Sequence, residues 1–163
     1  MAKKKKANVK VSKKEKERVA MNVYKKAMEE IKENVGNTTT NGTELEREGV
    51  KLFGMKFKGV YASDKIPHLD NLKSYAILNL DKSNEPGSHW IAIAHKDNTT
   101  YCYDSFGRGY KTIIKNLNYS ANGRIVNTDL DAEQHPTELN CGLRCLAFLY
   151  VFHHYGAEVA LLI

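Results

Sequence analysis

The segment Cys141-Gly-Leu-Arg-Cys-Leu-Ala-Phe-Leu-Tyr-Val-Phe-His-His-Tyr155 is the stretch of sequence that decides the fold. Its apolar content predicts a helix that is buried in the core and ends at Gly156. The longest apolar run within it, Leu146 to Phe152, is far too short to cross a bilayer. The segment therefore predicts the centre of a globular core, against which the rest of the chain has to pack.

The middle of the chain supplies the strands that can cover this helix. Residues 74–80 (Ser-Tyr-Ala-Ile-Leu-Asn-Leu) have the composition of a buried strand. Residues 89–95 and 100–104 are two further strands, and the short link Lys96-Asp-Asn-Thr-Thr between them predicts an antiparallel hairpin with its turn near 97–98. Residues 124–127 predict one more short strand.

Helices are predicted before this group of strands, in the N-terminal part described below, and also after the hairpin. A short helix is expected over 110–117, in addition to the helix over 141–155. Strands grouped in the middle with helices at each end favour an α+β fold over an alternating α/β fold. We therefore predict a small central mixed sheet packed on the 141–155 helix.

The N-terminal part predicts one more helix. Ser12 and Glu15 have the spacing of a capping box. An amphipathic helix over 13–34, closed by Gly36, follows from apolar residues that recur every four positions: Val19, Val23, Ala27, Ile31 and Val35. Residues 37–44 are polar turn formers and predict a linker, which makes this 13–36 helix an appendage to a compact domain over 45–163.

The charge of the chain is concentrated in its first residues. The 163 residues carry a net charge of +6, the size predicts one domain, and residues 1–18 alone hold nine Lys or Arg and two Glu, a net of +7. The remaining residues hold sixteen basic and seventeen acidic side chains, a net of −1. A basic flexible tail over 1–18 indicates either nucleic-acid binding or a nuclear-import signal, with a merely solvating end as the alternative. The candidate DNA-contacting residues are Lys3, Lys4, Lys5, Lys6, Lys10, Lys13 and Lys14.

The first residues and the cysteines predict the compartment. No apolar stretch follows the N-terminal lysines, so we expect no secretory signal and a location inside the cell. Three cysteines, an odd number, favour free thiols over disulfides. No membrane association is expected.

Cys141 is the cysteine with the strongest chemical signature. It opens the predicted core helix, where unsatisfied N–H groups and the positive end of the helix dipole stabilise a thiolate. Cys102 lies within a strand and Cys145 one turn deeper in the helix, so both are expected to be core residues.

A nucleophilic cysteine needs a base, an orienting group and a donor for the oxyanion. His89 stands at the start of a hairpin strand, and Asp104 should face it from the other strand, where its carboxylate could accept the imidazole Nδ1–H. Gln134 offers an amide donor in the irregular segment before Cys141. The ordered set His89, Asp104, Gln134 and Cys141 therefore predicts a cysteine nucleophile with its supporting groups. Cys141 and Cys145 have no second Cys or His pair at a suitable spacing, so no metal site is expected.

Three strings resemble the adenain family of adenovirus-type maturation proteases, whose relatives occur in other large DNA viruses, virophages and polinton-like elements. They are Gly87-Ser-His-Trp-Ile-Ala-Ile-Ala94, Tyr103-Asp-Ser-Phe-Gly107 and Gln134-x6-Cys141-Gly-Leu-Arg-Cys-Leu-Ala-Phe-Leu149. Upstream, Gly59-Val-Tyr-Ala-Ser-Asp-Lys-Ile-Pro67 is similar to a segment of the virophage-type members. More distantly, the order of the strings is similar to that in the Ulp/SENP peptidases that process SUMO.

The resemblance implies a fold, an activity and roles for individual residues. The fold would be that of a papain-like, adenain-like cysteine protease whose core helix carries the nucleophile Cys141. His89 would be the catalytic histidine, Asp104 the acid and Gln134 the oxyanion-hole residue. Trp90, as one wall of a narrow groove, and Gly142 are assigned to substrate binding, although Trp90 could equally be a core aromatic.

The resemblance also implies partners and a location. The substrates would be viral precursor capsid or core proteins, cleaved next to small residues during virion maturation, in the virion or in the cytoplasm or nucleus of the host cell. No cofactor is expected for the chemistry itself, while DNA or a viral peptide is the activator that adenain suggests. Two alternatives remain open: a SUMO- or ubiquitin-like deconjugating peptidase, and a non-catalytic DNA-associated virion protein.

Overall fold

The computed structural model describes residues 10–69, 72–81, 83–84, 88–113 and 123–163, and the strands within them form a mixed sheet. The strands are β1 (Phe57–Ala62), β2 (Ser74–Asn79), β3 (Trp90–Lys96), β4 (Thr99–Tyr103) and β5 (Arg124–Asn127). The helices are α1 (Lys13–Val35), α2 (Gly42–Phe53), α3 (Tyr110–Ile113), α4 (Cys141–Tyr155) and α5 (Ala157–Ala160). Within these ranges, no helix has the length and apolar content that a membrane span requires.

The order of the sheet follows the order of the chain, β1-β2-β3-β4-β5. The two outer pairs, β1–β2 and β4–β5, are parallel, and the two inner pairs are antiparallel. The tight link between β3 and β4 has Asp97 and Asn98 at φ 51° and 58°, which is the backbone of a two-residue hairpin turn that follows the twist of the strands. The predicted α+β class, mixed sheet and hairpin are confirmed.

The core lies mainly between this sheet and α4. Tyr75, Ile77, Ala92 and Ala94 point from the sheet into one cluster with α4, while alternate residues such as Leu78 pack on the opposite face. Ten of the fifteen residues of α4 are buried. Because both faces of β2 are covered, all six of its residues are buried.

α1 packs on α4 through a face that includes Ala27 and Ile31 of the predicted stripe but differs from it near the start of the helix. The buried residues are Ala20, Tyr24, Ala27 and Ile31, whereas Val19, which the four-residue repeat places on the buried face, is 46% exposed. The residue that takes its place in the buried stripe is Tyr24, whose hydroxyl finds a partner inside the core. The helix therefore belongs to the main core and is not the appendage that the polar linker suggested.

The sequence analysis missed α2, β1 and the short α5. Residues 42–44, predicted as linker, form the first turn of α2 because Asn41 and Glu44 make a capping box: the Glu44 N–H donates to Asn41 Oδ1 over 2.9 Å, and the Asn41 N–H donates to the Glu44 carboxylate. In β1, an irregular register between Phe57 and Val60 breaks the two-residue alternation by which a strand is recognised.

Some predicted features fall outside the described residues. Lys3, Lys4, Lys5 and Lys6 of the basic tail, Gly87 of the first motif and residues 114–117 of the predicted 110–117 helix are among them. Residues 13–18 of the predicted tail are helical and form the first turns of α1.

The packing of α1 predicts unequal effects of two substitutions of β-branched residues by alanine. Ile31→Ala, at a residue that is 2% exposed, should lower the free energy of unfolding by about 2–5 kcal/mol because it leaves a cavity against α4. Val19→Ala should change it by less than about 0.5 kcal/mol, since that side chain is largely in water. Denaturant unfolding of both variants measures the difference; equal losses would contradict the observed face.

Candidate active site

His89 and Asp104 meet at the open end of the β3–β4 hairpin. His89 comes directly before β3 and Asp104 directly after β4, and the pairing of Ala92 with Tyr103 brings the two together. The His89 Nε2–H donates to Asp104 Oδ1 over 2.7 Å, with both side chains buried. The expected Nδ1 contact is therefore wrong: Asp104 binds Nε2, and Nδ1 is the ring nitrogen left for a second partner.

The Asp104 carboxylate is held by a tight turn as well as by His89. Its Oδ1 accepts the backbone N–H of Phe106 at 3.2 Å, and its Oδ2 accepts Arg108 Nε–H at 2.7 Å. Burial would raise the pKa of this carboxyl, but the hydrogen bonds from His89 and Arg108 lower the pKa to about 2. Asp104 is therefore ionised throughout the neutral range.

The imidazole is also fixed across its plane. The ring of Phe106 stacks on that of His89 with centroids 4.7 Å apart and an angle of 24° between the planes. The guanidinium of Arg108 lies 5.3 Å from the centroid of the Phe106 ring. Since Asp104 fixes one edge of the imidazole and Phe106 fixes its plane, little rotation is left to His89.

Cys141 opens α4 with its thiol directed to His89. Asn140 does not cap the helix with its side chain, which instead accepts Arg144 Nε–H at 2.9 Å, so the first N–H groups of α4 remain available to the sulfur. Burial would raise the pKa of Cys141, but hydrogen bonds from the His89 side chain and from the backbone N–H groups of Trp90 and Gly142 lower the pKa below the ordinary thiol value of 9.0.

The pKa of His89 moves in the opposite direction. Burial would lower it, but the hydrogen bonds to Asp104 and Cys141 raise the pKa above the usual 6.5. A lowered pKa of the thiol and a raised pKa of the imidazole favour the thiolate–imidazolium form of the pair. This is the state in which a cysteine is nucleophilic at neutral pH.

The other two cysteines have none of these features. Burial raises the pKa of Cys102 to about 12 and that of Cys145 well above its ordinary value. Both are packed in the core, as the sequence predicted. Cys141 is therefore the one of the three cysteines whose thiol pKa is lowered.

Gln134 lies in the loop that leads into α4 and is held at both ends of its amide. Its Oε1 accepts Ser105 Oγ–H over 2.6 Å, and its Nε2 donates to the carbonyl oxygen of Glu138 over 2.6 Å. An amide nitrogen has two hydrogens, so one N–H remains for another acceptor. Gln134 is 3% exposed and lines the same cavity as Cys141 and His89.

That cavity has a volume of about 460 Å³ and opens to solvent. A second cavity of about 370 Å³ adjoins it, and Gly42, Asn79 and Trp90 line both. The half-buried Trp90 forms a wall between the two and donates its Nε1–H to the carbonyl oxygen of Thr40 over 2.9 Å. We call the two cavities together the cleft.

The residues predicted for substrate binding differ in their position. Trp90 lines the cleft and also packs against the core, so the two interpretations of it are not exclusive. Gly142 is buried and does not line the cleft; a Cβ there would lie 3.0 Å from Leu45 Cδ2, so glycine lets α4 approach α2 closely. The structure gives Gly142 a packing position, and its substrate contact stays a prediction.

Sequence reasoning left several residues of the site without a role. Ser105 and Phe106 stand inside the quoted Tyr103–Gly107 motif, next to Asp104, and that adjacency was the available signal. The cleft wall formed by Thr39 to Gly42 comes from the segment predicted as a linker. Among the described residues, no three His, Cys, Asp or Glu side chains come together as a metal site requires.

Comparison with known proteins shows similarity to viral proteases. The protease of Ovine adenovirus D serotype 7 is 28% identical over 123 residues, which cover 66% of this chain and 58% of the relative. The protease of Human adenovirus B serotype 3 is 26% identical over 118 residues, 63% of this chain and 53% of the relative. The protease of Frog adenovirus 1 is 30% identical over 134 residues, 71% of this chain and 65% of the relative. The chain thus spans between about half and two thirds of the length of these relatives.

The family model described as adenovirus endoprotease matches residues 52–161. The matched segment contains the His89–Asp104 pair, Gln134 and Cys141, whereas all of α1 precedes it. The match covers more than half of the chain, and the resemblance of its motifs agrees with it. This chain belongs to the adenovirus endoprotease family.

Proposed function

We propose that the chain is a cysteine endopeptidase that cleaves viral precursor capsid or core proteins during virion maturation. The observation that carries the proposal is the set of the half-buried Cys141 and the buried His89 and Asp104 at the wall of an open cleft, in which the thiol pKa is lowered and the imidazole pKa raised. Family membership supports a protease, and this arrangement supports the cysteine type of the chemistry. The proposed location is the virion and the interior of the host cell.

The first half of the reaction uses the charged pair. The Cys141 thiolate attacks the carbonyl carbon of the scissile peptide bond, and the Gln134 amide and the Cys141 backbone N–H stabilise the oxyanion that forms. The His89 imidazolium then protonates the leaving amine as the tetrahedral intermediate collapses to a thioester. Asp104 stays ionised and keeps Nε2–H engaged, so that Nδ1 faces the reacting atoms.

The second half regenerates the enzyme. His89, now neutral, takes a proton from water, and the resulting hydroxide equivalent attacks the thioester. Collapse of the second tetrahedral intermediate releases the new carboxylic acid, which loses its proton to the solvent, and restores the thiolate–imidazolium pair. The residues of the chain supply the other proton transfers, so the proposed chemistry needs no metal or organic cofactor.

The shape of the cleft supports a preference for small residues beside the scissile bond. Gly42 and Trp90 line both cavities, and a Cβ on Gly42 would lie 3.5 Å from the Trp90 ring, so we infer a narrow passage where the two cavities adjoin. An extended peptide that crosses this passage should carry a small side chain there.

The test is an unbiased map of cleavage. The chain is incubated with a library of peptides that have a randomised central segment, with Cys141→Ala in parallel, and mass spectrometry identifies the new termini. The proposal expects internal cleavage next to small residues with the wild-type chain only. Cleavage confined to the C-terminal tails of folded ubiquitin-like proteins, offered in a separate reaction, would indicate a deconjugating enzyme, and no cleavage by the wild-type chain would overturn the protease proposal.

The pKa shifts predict which thiol reacts and over which pH range. Iodoacetamide should label Cys141 before Cys102 or Cys145, and the rate should reach half its maximum at a pH below 9.0, because the His89 hydrogen bond stabilises the thiolate. In His89→Ala this midpoint should move up, since burial, which raises the thiol pKa, is then less opposed. Peptide mapping of the alkylated chain over a pH series measures both effects; preferential labelling of Cys102 would contradict the assignment.

Asp104 is predicted to orient and charge His89 without reacting. Asp104→Asn removes the charge that helps to hold the imidazolium, so turnover should fall on the order of 10²-fold and the midpoint of Cys141 alkylation should rise. The matched control is Asp97→Asn, the same change in the exposed turn at the far end of the hairpin, which should leave both quantities unchanged. A turnover in Asp104→Asn equal to that of Asp97→Asn would remove Asp104 from the mechanism.

We also propose that the basic N-terminal residues bind DNA without sequence preference. The support is the net charge of +7 on residues 1–18 and the exposure of the described members Lys10, Lys13 and Lys14, of which Lys13 lies 3.5 Å from the Glu17 carboxylate. Bound to DNA, the chain would be held near packaged substrates. DNA or a viral peptide as an activator belongs to the same proposal.

The DNA proposal predicts a salt dependence that a deletion should flatten. Removing residues 2–11 takes away five lysines but keeps Ser12, which caps α1, so the fold is retained. Each lost phosphate contact should reduce the slope of log K against log salt by about 0.9 on duplex DNA. Fluorescence anisotropy with labelled duplex compares the two chains; equal affinities and slopes would instead favour a nuclear-import signal.

A further inference from the structure

We propose that the Ser105 hydroxyl is a positioning residue for the oxyanion donor: it fixes the Gln134 amide so that an Nε2–H faces the cleft. The inference rests on the proposed cysteine-protease function and assigns a role to a residue that neither the motif resemblance nor the triad uses. Ser105 follows Asp104 in the turn that binds His89, but its side chain contacts Gln134.

The contact between Ser105 and Gln134 is short and fully buried. Ser105 has no exposed surface, and its Oγ lies 2.6 Å from Gln134 Oε1. Since an amide oxygen can only accept, the hydroxyl is the donor. The backbone carbonyl of Ser105 adds two more bonds, accepting the N–H groups of Glu133 and Gln134 at 3.0 Å each.

These bonds allow one orientation of the amide. With Oε1 on the Ser105 hydroxyl, Nε2 donates to the Glu138 carbonyl oxygen and keeps a second hydrogen. The reversed amide would place Oε1 against the Glu138 carbonyl, where two acceptors face each other without a proton. The Glu138 carbonyl oxygen therefore selects the orientation of the amide, and the Ser105 hydroxyl, as the donor to Oε1, holds it in place.

The loss of this hydroxyl has a specific consequence for the reaction. Ser105→Ala leaves Oε1 buried without its donor, so that only the bond from Nε2 to the Glu138 carbonyl oxygen still holds the amide. The Cys141–His89 pair does not depend on this bond. Steps that develop an oxyanion should therefore suffer, while a displacement at a saturated carbon, which develops none, should not.

The experiment is a double-mutant cycle between Ser105 and Gln134. The substrate is the best-cleaved peptide from the library, and kcat, KM and the rate of Cys141 alkylation by iodoacetamide are measured for wild type, Ser105→Ala, Gln134→Ala and the double variant. We expect Ser105→Ala to lower kcat about tenfold with little change in KM or in alkylation, and Gln134→Ala to lower kcat on the order of 10²–10³-fold. In the Gln134→Ala background, Ser105→Ala should have no further effect.

The matched control is Thr100→Val, which also removes a buried hydroxyl. Thr100 lies in β4, at the end of the hairpin far from the cleft, and its Oγ1 is 2.8 Å from His95 Nδ1. It should leave kcat and alkylation unchanged. Three outcomes would each overturn the role of Ser105: an unchanged kcat in Ser105→Ala, an equal fall of kcat and of the alkylation rate, or the same loss of kcat with and without Gln134. In each of these cases, activity of the wild-type chain leaves the protease proposal standing. An inactive wild-type chain would overturn both.

Discussion

Burying the carboxylate of Asp104 imposes a constraint that the surrounding residues meet with donors from several directions. The side chain is 1% exposed, and an ionised group at such a place is tolerated only when its oxygens are hydrogen-bonded. The donors are the His89 ring, the Arg108 guanidinium and the backbone of the turn that follows β4. Meeting this requirement fixes the path of the turn, and with it the ring of Phe106 over His89. Asp104 therefore influences the pKa of the Cys141 thiol through His89, without a direct contact to the sulfur.

Local signals in the sequence were sufficient for the parts of the site that depend on local geometry. The turn at Asp97-Asn98 sets the register that brings His89 to Asp104, and the helix start sets the environment of Cys141. The parts that depend on distant partners could not be predicted. The burial of Tyr24 in α1 could not be predicted, because the partners of its hydroxyl, Tyr103 and Arg144, lie far away in the chain. Likewise, Nε2 rather than Nδ1 binds Asp104 because of where Cys141 arrives from the other end of the chain.

A second buried polar network connects α1 to the loop before α4. The Tyr24 hydroxyl lies 2.8 Å from that of Tyr103 and accepts a hydrogen bond from Arg144, which also pairs with the Glu138 carboxylate at 3.1 Å. At the edge of this network, burial raises the pKa of Glu133 to about 7. Because the Glu138 carbonyl oxygen accepts the Gln134 amide N–H, this network connects the N-terminal helix to the loop that carries Gln134, although the helix precedes the segment that matches the family.

The contact between α1 and α4 also determines when, during synthesis of the chain, the site can form. Tyr24 and Arg144 are 120 residues apart in the chain, and the contact they make closes one of the longest loops in the fold. During synthesis the apolar stripe of α1 emerges first and has no partner until the residues of α4 have been made. Neither the cleft wall after α1 nor the charged pair at Cys141 can be in place before then. The arrangement of His89 and Cys141 described above therefore forms only after the residues of α4 have been synthesised.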